Sequence, residues 1–167
     1  MAYVWELLAA VGTVFVFAYC YCKKKYLVAY FWGIVYGLMW EFSTEALFNY
    51  QNIFAFYIWK DIPLAIIFGW GVSIAGFQII SDLIHEKYKI KSNTLKSLAA
   101  DGFVAGVLGI SMEYLGSHNL ALYTYPATNI PLIAGIPVVW PIGWIVIGLA
   151  NLSFVRRLEN ALGLSKP

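Results

Sequence analysis

Apolar residues fill five runs of the chain, each long enough to cross about 30 Å of hydrocarbon as a helix. The runs cover residues 3–21, 26–49, 63–84, 98–117 and 131–154. No segment has the alternating pattern of a membrane-barrel strand, so no sheet is expected. The pattern therefore predicts an all-α, polytopic integral membrane protein with five transmembrane helices, forming one domain over residues 1–167.

Composition agrees with this prediction. Hydrophobic residues make up 61% of the chain and charged residues 12%, whereas a soluble domain has about 25% charged residues. The formal net charge of +2 is too small to indicate a nucleic-acid partner. Cys20 and Cys22 are too few for a disulfide framework or a zinc-finger spacing.

The basic residues predict the orientation in the cell membrane. They fall in three clusters, after the first, third and fifth runs, and the opposite side carries Lys60 alone. The clusters are Lys23, Lys24 and Lys25; Lys87, Lys89, Lys91 and Lys96; and Arg156, Arg157 and Lys166. Cytoplasmic loops are rich in Lys and Arg, so we expect a multi-pass protein with its N-terminus outside and its C-terminus in the cytoplasm.

Spans two and three resemble spans four and five. Glu45 and Glu113 lie 68 residues apart, and the Ile-Pro-Leu of residues 62–64 recurs at residues 130–132 with the same offset. A further slip of two residues aligns Trp70 with Trp140. The pattern predicts two helical hairpins, in residues 26–90 and 96–155, related by a two-fold axis along the membrane normal. The first span stays outside this repeat.

Each predicted repeat has a helix face of small and acidic residues spaced four apart, which stack on one side of a helix. The faces are Gly33, Gly37, Glu41, Glu45 and Asn49, and Asp101, Ala105, Gly109, Glu113 and Ser117. Glycines let helix backbones approach closely, which brings Glu41, Glu45 and Glu113 together. Carboxyl groups that close together cannot all ionise, so we expect at least one to stay protonated and to act as a general acid or as a proton or cation carrier.

A second polar line holds Asp82, His85 and Asp101 near the cytoplasmic ends of spans three and four. These side chains are weak candidates for a divalent metal site. The alternative is an interfacial hydrogen-bond network, and no metal or other cofactor is expected. His118, just beyond span four, is expected to face solvent.

Aromatic residues dominate both outer loops and the start of span five. Pro137 and Pro141 are expected to kink that span and to place indoles against a hydrophobic ligand. The candidate substrate-binding residues are Trp40, Asn49, Tyr57, Tyr123, Tyr125, Trp140 and Trp144. The alternative is a belt of aromatic residues at the headgroup level.

The motifs Glu113-Tyr-Leu-Gly116, Tyr123-Thr-Tyr125 and Gly135-Ile-Pro137-Val-Val-Trp140 resemble those of integral-membrane carotenoid hydratases of the bisanhydrobacterioruberin hydratase type. The run with Trp40, Glu41 and Glu45 is similar to the acidic pairs of small membrane lycopene cyclases. The resemblance implies acid-initiated chemistry on polyene or isoprenoid double bonds. It also implies that Glu113 is the acid and that Tyr123, Tyr125 and Trp140 line the site.

Three hypotheses follow. The first is a membrane enzyme, a lyase or hydratase or a cyclase, that acts on an isoprenoid, carotenoid or other lipid through Glu41, Glu45 and Glu113. The second is a small transporter or channel that works as a homo-oligomer and binds a proton or cation through the same carboxylates. The third is a non-catalytic membrane subunit. All three rest on the rule that ionisable residues inside a membrane are costly and usually functional.

Overall fold

The computed structural model describes residues 3–21, 23–44, 47–51, 54–91, 94–125, 130–133 and 135–164. Within these residues the chain is mostly helical and forms five α-helices. They are α1 (Tyr3–Tyr21), α2 (Lys25–Thr44), α3 (Leu64–Tyr88), α4 (Leu95–Tyr114) and α5 (Trp140–Ala161). One π-helical turn, Leu115–Asn119, continues α4.

Three short antiparallel strand pairs lie in the connections between these helices. β1 (Asn49–Tyr50) pairs with β4 (Tyr123–Thr124), β2 (Tyr57–Trp59) with β3 (Ile62–Pro63), and β5 (Leu132–Ile133) with β6 (Ile136–Pro137). The expectation of no sheet is therefore wrong for the loops. Non-helical backbone must find partners for its N–H and C=O groups, and these pairs supply them.

The fifth helix begins at Trp140, nine residues later than the predicted span. Residues 132–133 and 136–137 pair as β5 and β6 instead, and Pro137 lies in the second of these strands. Pro141 occupies the first turn of α5, where a missing N–H leaves no helical hydrogen bond unmade. The predicted proline kink of this span is wrong, because both prolines lie before or at the helix start.

Local sequence explains several other helix ends. The Thr94 side chain accepts a hydrogen bond from the Ser97 N–H and caps the start of α4, as Thr commonly does. Lys89 ends α3 in a left-handed conformation, with φ of 51°, and its N–H returns to the last turn. A C-terminal residue in this conformation is a common helix stop.

The helices pack as two neighbouring pairs, α2 against α3 and α4 against α5, while α1 lies mainly on α3. Tyr30, Ile74, Phe77 and Leu152 are buried where the pairs meet. The Thr13 and Tyr30 hydroxyls are 3.0 Å apart and join α1 to α2. Successive helices run in opposite directions, so one end of the bundle carries the starts of α1, α3 and α5.

The outside of the bundle is apolar and several polar side chains are inside. Phe31, Phe103 and Ile142 are 54%, 68% and 68% exposed. The buried polar and charged residues are Glu41, Gln78, Ser81, His85, Ser97, Asp101, Glu113, Asn151 and Glu159. Within the described residues, two helical segments are long and apolar enough to cross a membrane, Leu64–Tyr88 with a mean hydropathy of 1.8 and Leu95–Asn119 with 1.3.

Candidate functional site

A cavity of about 280 Å³ lies at the end of the bundle where α1, α3 and α5 begin and α2 and α4 end. Its wall is almost entirely apolar and aromatic, and the two acidic side chains on it are Glu41 and Glu113. The aromatic lining residues are Trp40, Phe48, Tyr50, Phe54, Trp70, Tyr123, Trp140 and Trp144. The cavity is therefore a place where carboxyl groups meet an apolar ligand.

Glu41 lies in the last turn of α2 and is 2% exposed. One of its oxygens accepts a hydrogen bond from the Trp70 indole N–H at 2.7 Å. The other accepts from the Tyr50 hydroxyl at 2.5 Å. The two donors come from α3 and β1, so the carboxyl group joins a helix pair to the loop above it.

Glu113 lies in the last turn of α4 and is 5% exposed. The Trp144 indole N–H donates to one oxygen at 3.1 Å. The Tyr123 hydroxyl donates to the other oxygen at 2.7 Å, and the Tyr125 hydroxyl donates to the same atom. Glu113 thus has the same kinds of donor as Glu41, with one tyrosine more.

The two acid sites are built on the same plan. A glycine lies one turn before each acid, Gly37 before Glu41 and Gly109 before Glu113. A Cβ atom would lie 2.6 Å from the Trp70 side chain at Gly37 and 2.3 Å from the Trp144 side chain at Gly109. Only glycine leaves room for each indole, which then reaches the acid one turn further on.

This correspondence corrects the register predicted from the sequence. Glu41, not Glu45, corresponds to Glu113, and the two are 72 residues apart. Trp144, not Trp140, corresponds to Trp70, at an offset of 74 residues. Likewise β6 corresponds to β3, because each contains a buried Ile-Pro pair that ends a hairpin and comes just before α5 or α3.

The loop strands hold the two acid sites together. β1 and β4 pair so that Tyr50 lies opposite Tyr123, and each of these tyrosines donates to the acid of its own half. Burial raises the pKa of the Tyr50 phenol well above its ordinary value, and the charge of Glu41 adds to the shift. Burial likewise raises the pKa of the Tyr123 phenol. Both phenols therefore keep their protons and remain hydrogen-bond donors.

The donors to Glu41 and Glu113 are all neutral. Among the described residues neither acid forms an ion pair, whereas Asp82 and Asp101, at the other end of the bundle, do. Uncharged donors orient a carboxyl group without fixing its charge. The site can therefore hold a proton or release it.

The predicted site residues fall into three groups. Trp40, Tyr123, Trp140 and Trp144 line the cavity, and Tyr125 donates to Glu113 beside it. Asn49 and Tyr57 are exposed in β1 and β2 and are not among the lining residues. Glu45 lies outside the described residues, so the prediction that it joins the other acids stays a prediction.

Several site residues were not identified from the sequence as site residues. Trp70 and Tyr50 hold Glu41, while Phe48 and Phe54 are buried in the cavity wall. The signal for Trp70 is its position seven residues after the proline of the β3 Ile-Pro pair, because Trp144 has the same spacing from the proline of β6. No such signal marks the two phenylalanines.

The second predicted polar line forms an ion-pair network at the opposite end. The Asp82 carboxylate accepts a hydrogen bond from the Lys25 ammonium group at 2.6 Å. The Asp101 carboxylate accepts hydrogen bonds from both terminal nitrogens of Arg156 and from the Ser81 hydroxyl. His85 Nε2 lies 3.1 Å from the Asp101 Oδ1 atom. No group of three possible metal ligands occurs within the described part of the chain. These contacts form the interfacial network that was the alternative to a metal site. His118 is exposed, as expected.

Comparisons with protein-family models, with curated proteins and with solved structures found no match. The function is therefore argued below from the site itself.

Proposed function

We propose that the chain is an integral membrane enzyme that carries out acid–base chemistry on an isoprenoid, carotenoid or other lipid in the cavity at Glu41 and Glu113. The single observation that carries this proposal is the pairing of two carboxyl groups, both held by neutral donors, on the wall of one apolar, aromatic cavity. Intramembrane acids are costly and are usually retained for function.

The distribution of side chains supports a membrane location. Apolar residues such as Phe103 and Ile142 cover the outside, while Glu41, Asp101 and Glu113 are buried. A lipid environment favours this arrangement, and water disfavours it. The basic connections lie at the Asp101 end, so the positive-inside rule places that end in the cytoplasm and the cavity in the outer half of the bilayer.

The proposed reaction begins with protonation of a carbon–carbon double bond. The π electrons form a new C–H bond with the proton of one carboxyl group, and the other carbon becomes cationic. The faces of Trp40, Trp140 and Tyr123 line the space where this positive charge develops, and aromatic faces attract cations. A dry site strengthens this attraction.

A water molecule then completes the addition. Its oxygen bonds to the cationic carbon, and the proton it loses passes to the carboxylate left by the first step. Water has added across the double bond and both acids are restored. The buried Trp140 indole N–H has no acceptor among the described residues, so it is available to hold the water oxygen.

An apolar layer favours this proposal over a transporter. Ile74, Phe77, Ala105 and Ile147 are buried between the cavity and the ion-pair network. A route for protons or cations through the bundle would have to cross this layer. The cavity is thus better suited to a reaction at one depth of the membrane than to passage across it.

The test is expression in a bacterial host that accumulates lycopene, with pigments separated by chromatography and identified by mass. We expect a new product that is either heavier than lycopene by one water molecule or an isomer of lycopene with the same mass. The substitution Glu113→Gln should lower the yield about a hundredfold or more, the usual contribution of a general acid.

The matched control is Glu159→Gln, the same change at a buried acid that bonds to Gln78 away from the cavity. It should leave the product unchanged. If the folded wild-type protein leaves both pigments and membrane lipids of the host unaltered, the proposed reaction is wrong.

A further inference from the structure

A second cavity, of about 270 Å³, lies at the opposite end of the bundle, between the start of α4 and the last turns of α5. In contrast to the first cavity, its wall is mostly polar. The lining residues are Ser97, Leu98, Ser153, Arg156, Arg157 and Asn160. None of them takes part in the function proposed above.

Two serine hydroxyl groups belong to residues that line this pocket. Ser97 is 1% exposed, and its backbone N–H bonds to Thr94, but its hydroxyl makes no hydrogen bond in the part of the chain that the structure describes. Ser153 is half-buried, and its hydroxyl likewise makes no hydrogen bond within the described part of the chain. A hydroxyl in a buried residue normally finds a partner, so the pocket offers donors to a bound group.

The charge of the pocket is positive. Arg156 is already paired with Asp101, so that buried carboxylate is neutralised. Arg157 is exposed and forms no ion pair among the described residues. The N-terminal turn of α4, which contains Ser97, adds the partial positive charge of its amide groups.

We propose that this pocket binds the phosphate group of an anionic ligand. The Arg157 guanidinium group and the two serine hydroxyls are donors from which phosphate oxygens readily accept hydrogen bonds. Under the proposed orientation the pocket lies at the cytoplasmic surface, where basic pockets between helices bind the headgroups of acidic lipids. The same donors suit a free phosphate ion, so the experiment compares the two sources.

The test uses the full chain purified in neutral detergent and freed of bound lipid. Native mass spectrometry measures binding of phosphatidylglycerol against phosphatidylcholine, and thermal unfolding is measured with and without inorganic phosphate. We expect Arg157→Gln and Ser97→Ala each to weaken the binding of the phosphate probe about tenfold, the loss expected for one charge-assisted hydrogen bond.

Lys87→Gln is the matched control, because it removes one exposed positive charge at the same end of the bundle without touching the pocket. Preferred binding of phosphatidylglycerol, lost in both pocket variants and kept in the control, supports a lipid headgroup. Stabilisation by inorganic phosphate alone, with the same pattern, supports a soluble ligand. Binding that is absent, or equal in all four proteins, overturns the proposal. None of these outcomes depends on the lycopene experiment.

Discussion

Two pairs of acids, at opposite ends of the bundle, have different partners. At one end, Asp82 and Asp101 are each matched by a cation, Lys25 and Arg156. At the other, Glu41 and Glu113 receive only neutral indole and phenol donors among the described residues. The carboxyl groups are chemically alike, so the difference lies in what surrounds them.

The difference agrees with the proposed function, in which the acids at one end are structural and those at the other take part in chemistry. A carboxylate that is paired with a cation keeps its charge and ties helices together. A carboxyl group with neutral donors is oriented but not neutralised, so its proton can take part in a reaction. Asp82 and Arg156 occupy corresponding positions of the two halves, since they are 74 residues apart, as Trp70 and Trp144 are, and they lie 3.8 Å from each other.

Removing a charge should therefore have unequal effects at the two ends. Arg156→Gln leaves Asp101 buried without its cation, and we expect it to lower the free energy of unfolding by about 3–5 kcal/mol. Glu113→Gln keeps an oxygen acceptor and should cost about 1 kcal/mol. Unfolding in mixed micelles with increasing denaturing detergent, followed by circular dichroism, measures both.

A second substitution sharpens this comparison. Adding Asp101→Asn to Arg156→Gln removes the unpaired buried charge and should restore part of the lost stability, since the two residues are coupled. Equal losses for Arg156→Gln and Glu113→Gln would show that the two ends do not differ as described.

The glycine before each acid gives the next prediction. Gly109→Val places a Cβ where the Trp144 ring lies, and overpacking of this kind costs about 1–3 kcal/mol. The ring must also shift away from Glu113, so activity should fall together with stability. Thermal unfolding and the lycopene assay measure the two effects. Gly76→Ala is the control, because no atom lies within 4 Å of its added Cβ; a similar loss there would refute the role assigned to Gly109.

The smallest expected effect is on pH dependence. Burial raises the pKa of Tyr123 above its ordinary value of 10.0. The folded state therefore holds this proton more tightly than the unfolded state, and the resulting stability is complete below pH 10 and is lost as the pH rises further. Tyr123→Phe should flatten the fall in thermal stability above pH 10, whereas Tyr88→Phe, at an exposed position, should leave it unchanged. The same slope in all three proteins would contradict the prediction.

Much of the helical framework follows from the hydrophobic pattern. The first run and α1 have the same bounds, and the other four runs each contain most of a helix. The exception is the start of α5, because the apolar residues 132–133 and 136–137 before it pair as strands. Hydrophobicity alone does not distinguish an apolar hairpin from the first turns of a helix, and the prolines at residues 137 and 141 were interpreted as kinks inside a helix rather than as a sign of its start.

The sequence identified several residues of the candidate site but aligned its two halves incorrectly. Glu41, Glu113, Tyr123 and Trp144 were all identified, whereas Trp70 was matched to Trp140 and so its role was missed. The reason is a difference in spacing: 29 residues separate Glu41 from Trp70, and 31 separate Glu113 from Trp144. No single offset aligns both halves, and the second Ile-Pro-Leu, at residues 130–132, falls by coincidence where the wrong offset places it.

The glycine that makes room for each indole also has a use outside this chain. Each half of the site can be written as two short sequence motifs. The first is Gly-x-x-x-Glu, and the second is Ile-Pro followed by any six residues and Trp. The motifs occur at Gly37–Glu41 and Ile62–Trp70 in the first half, and at Gly109–Glu113 and Ile136–Trp144 in the second. Both motifs are set by steric fit rather than by overall likeness. A search for the two motifs in tandem, with free spacing between them, would recover distant proteins that share this pair of acids even where whole-chain comparison finds nothing.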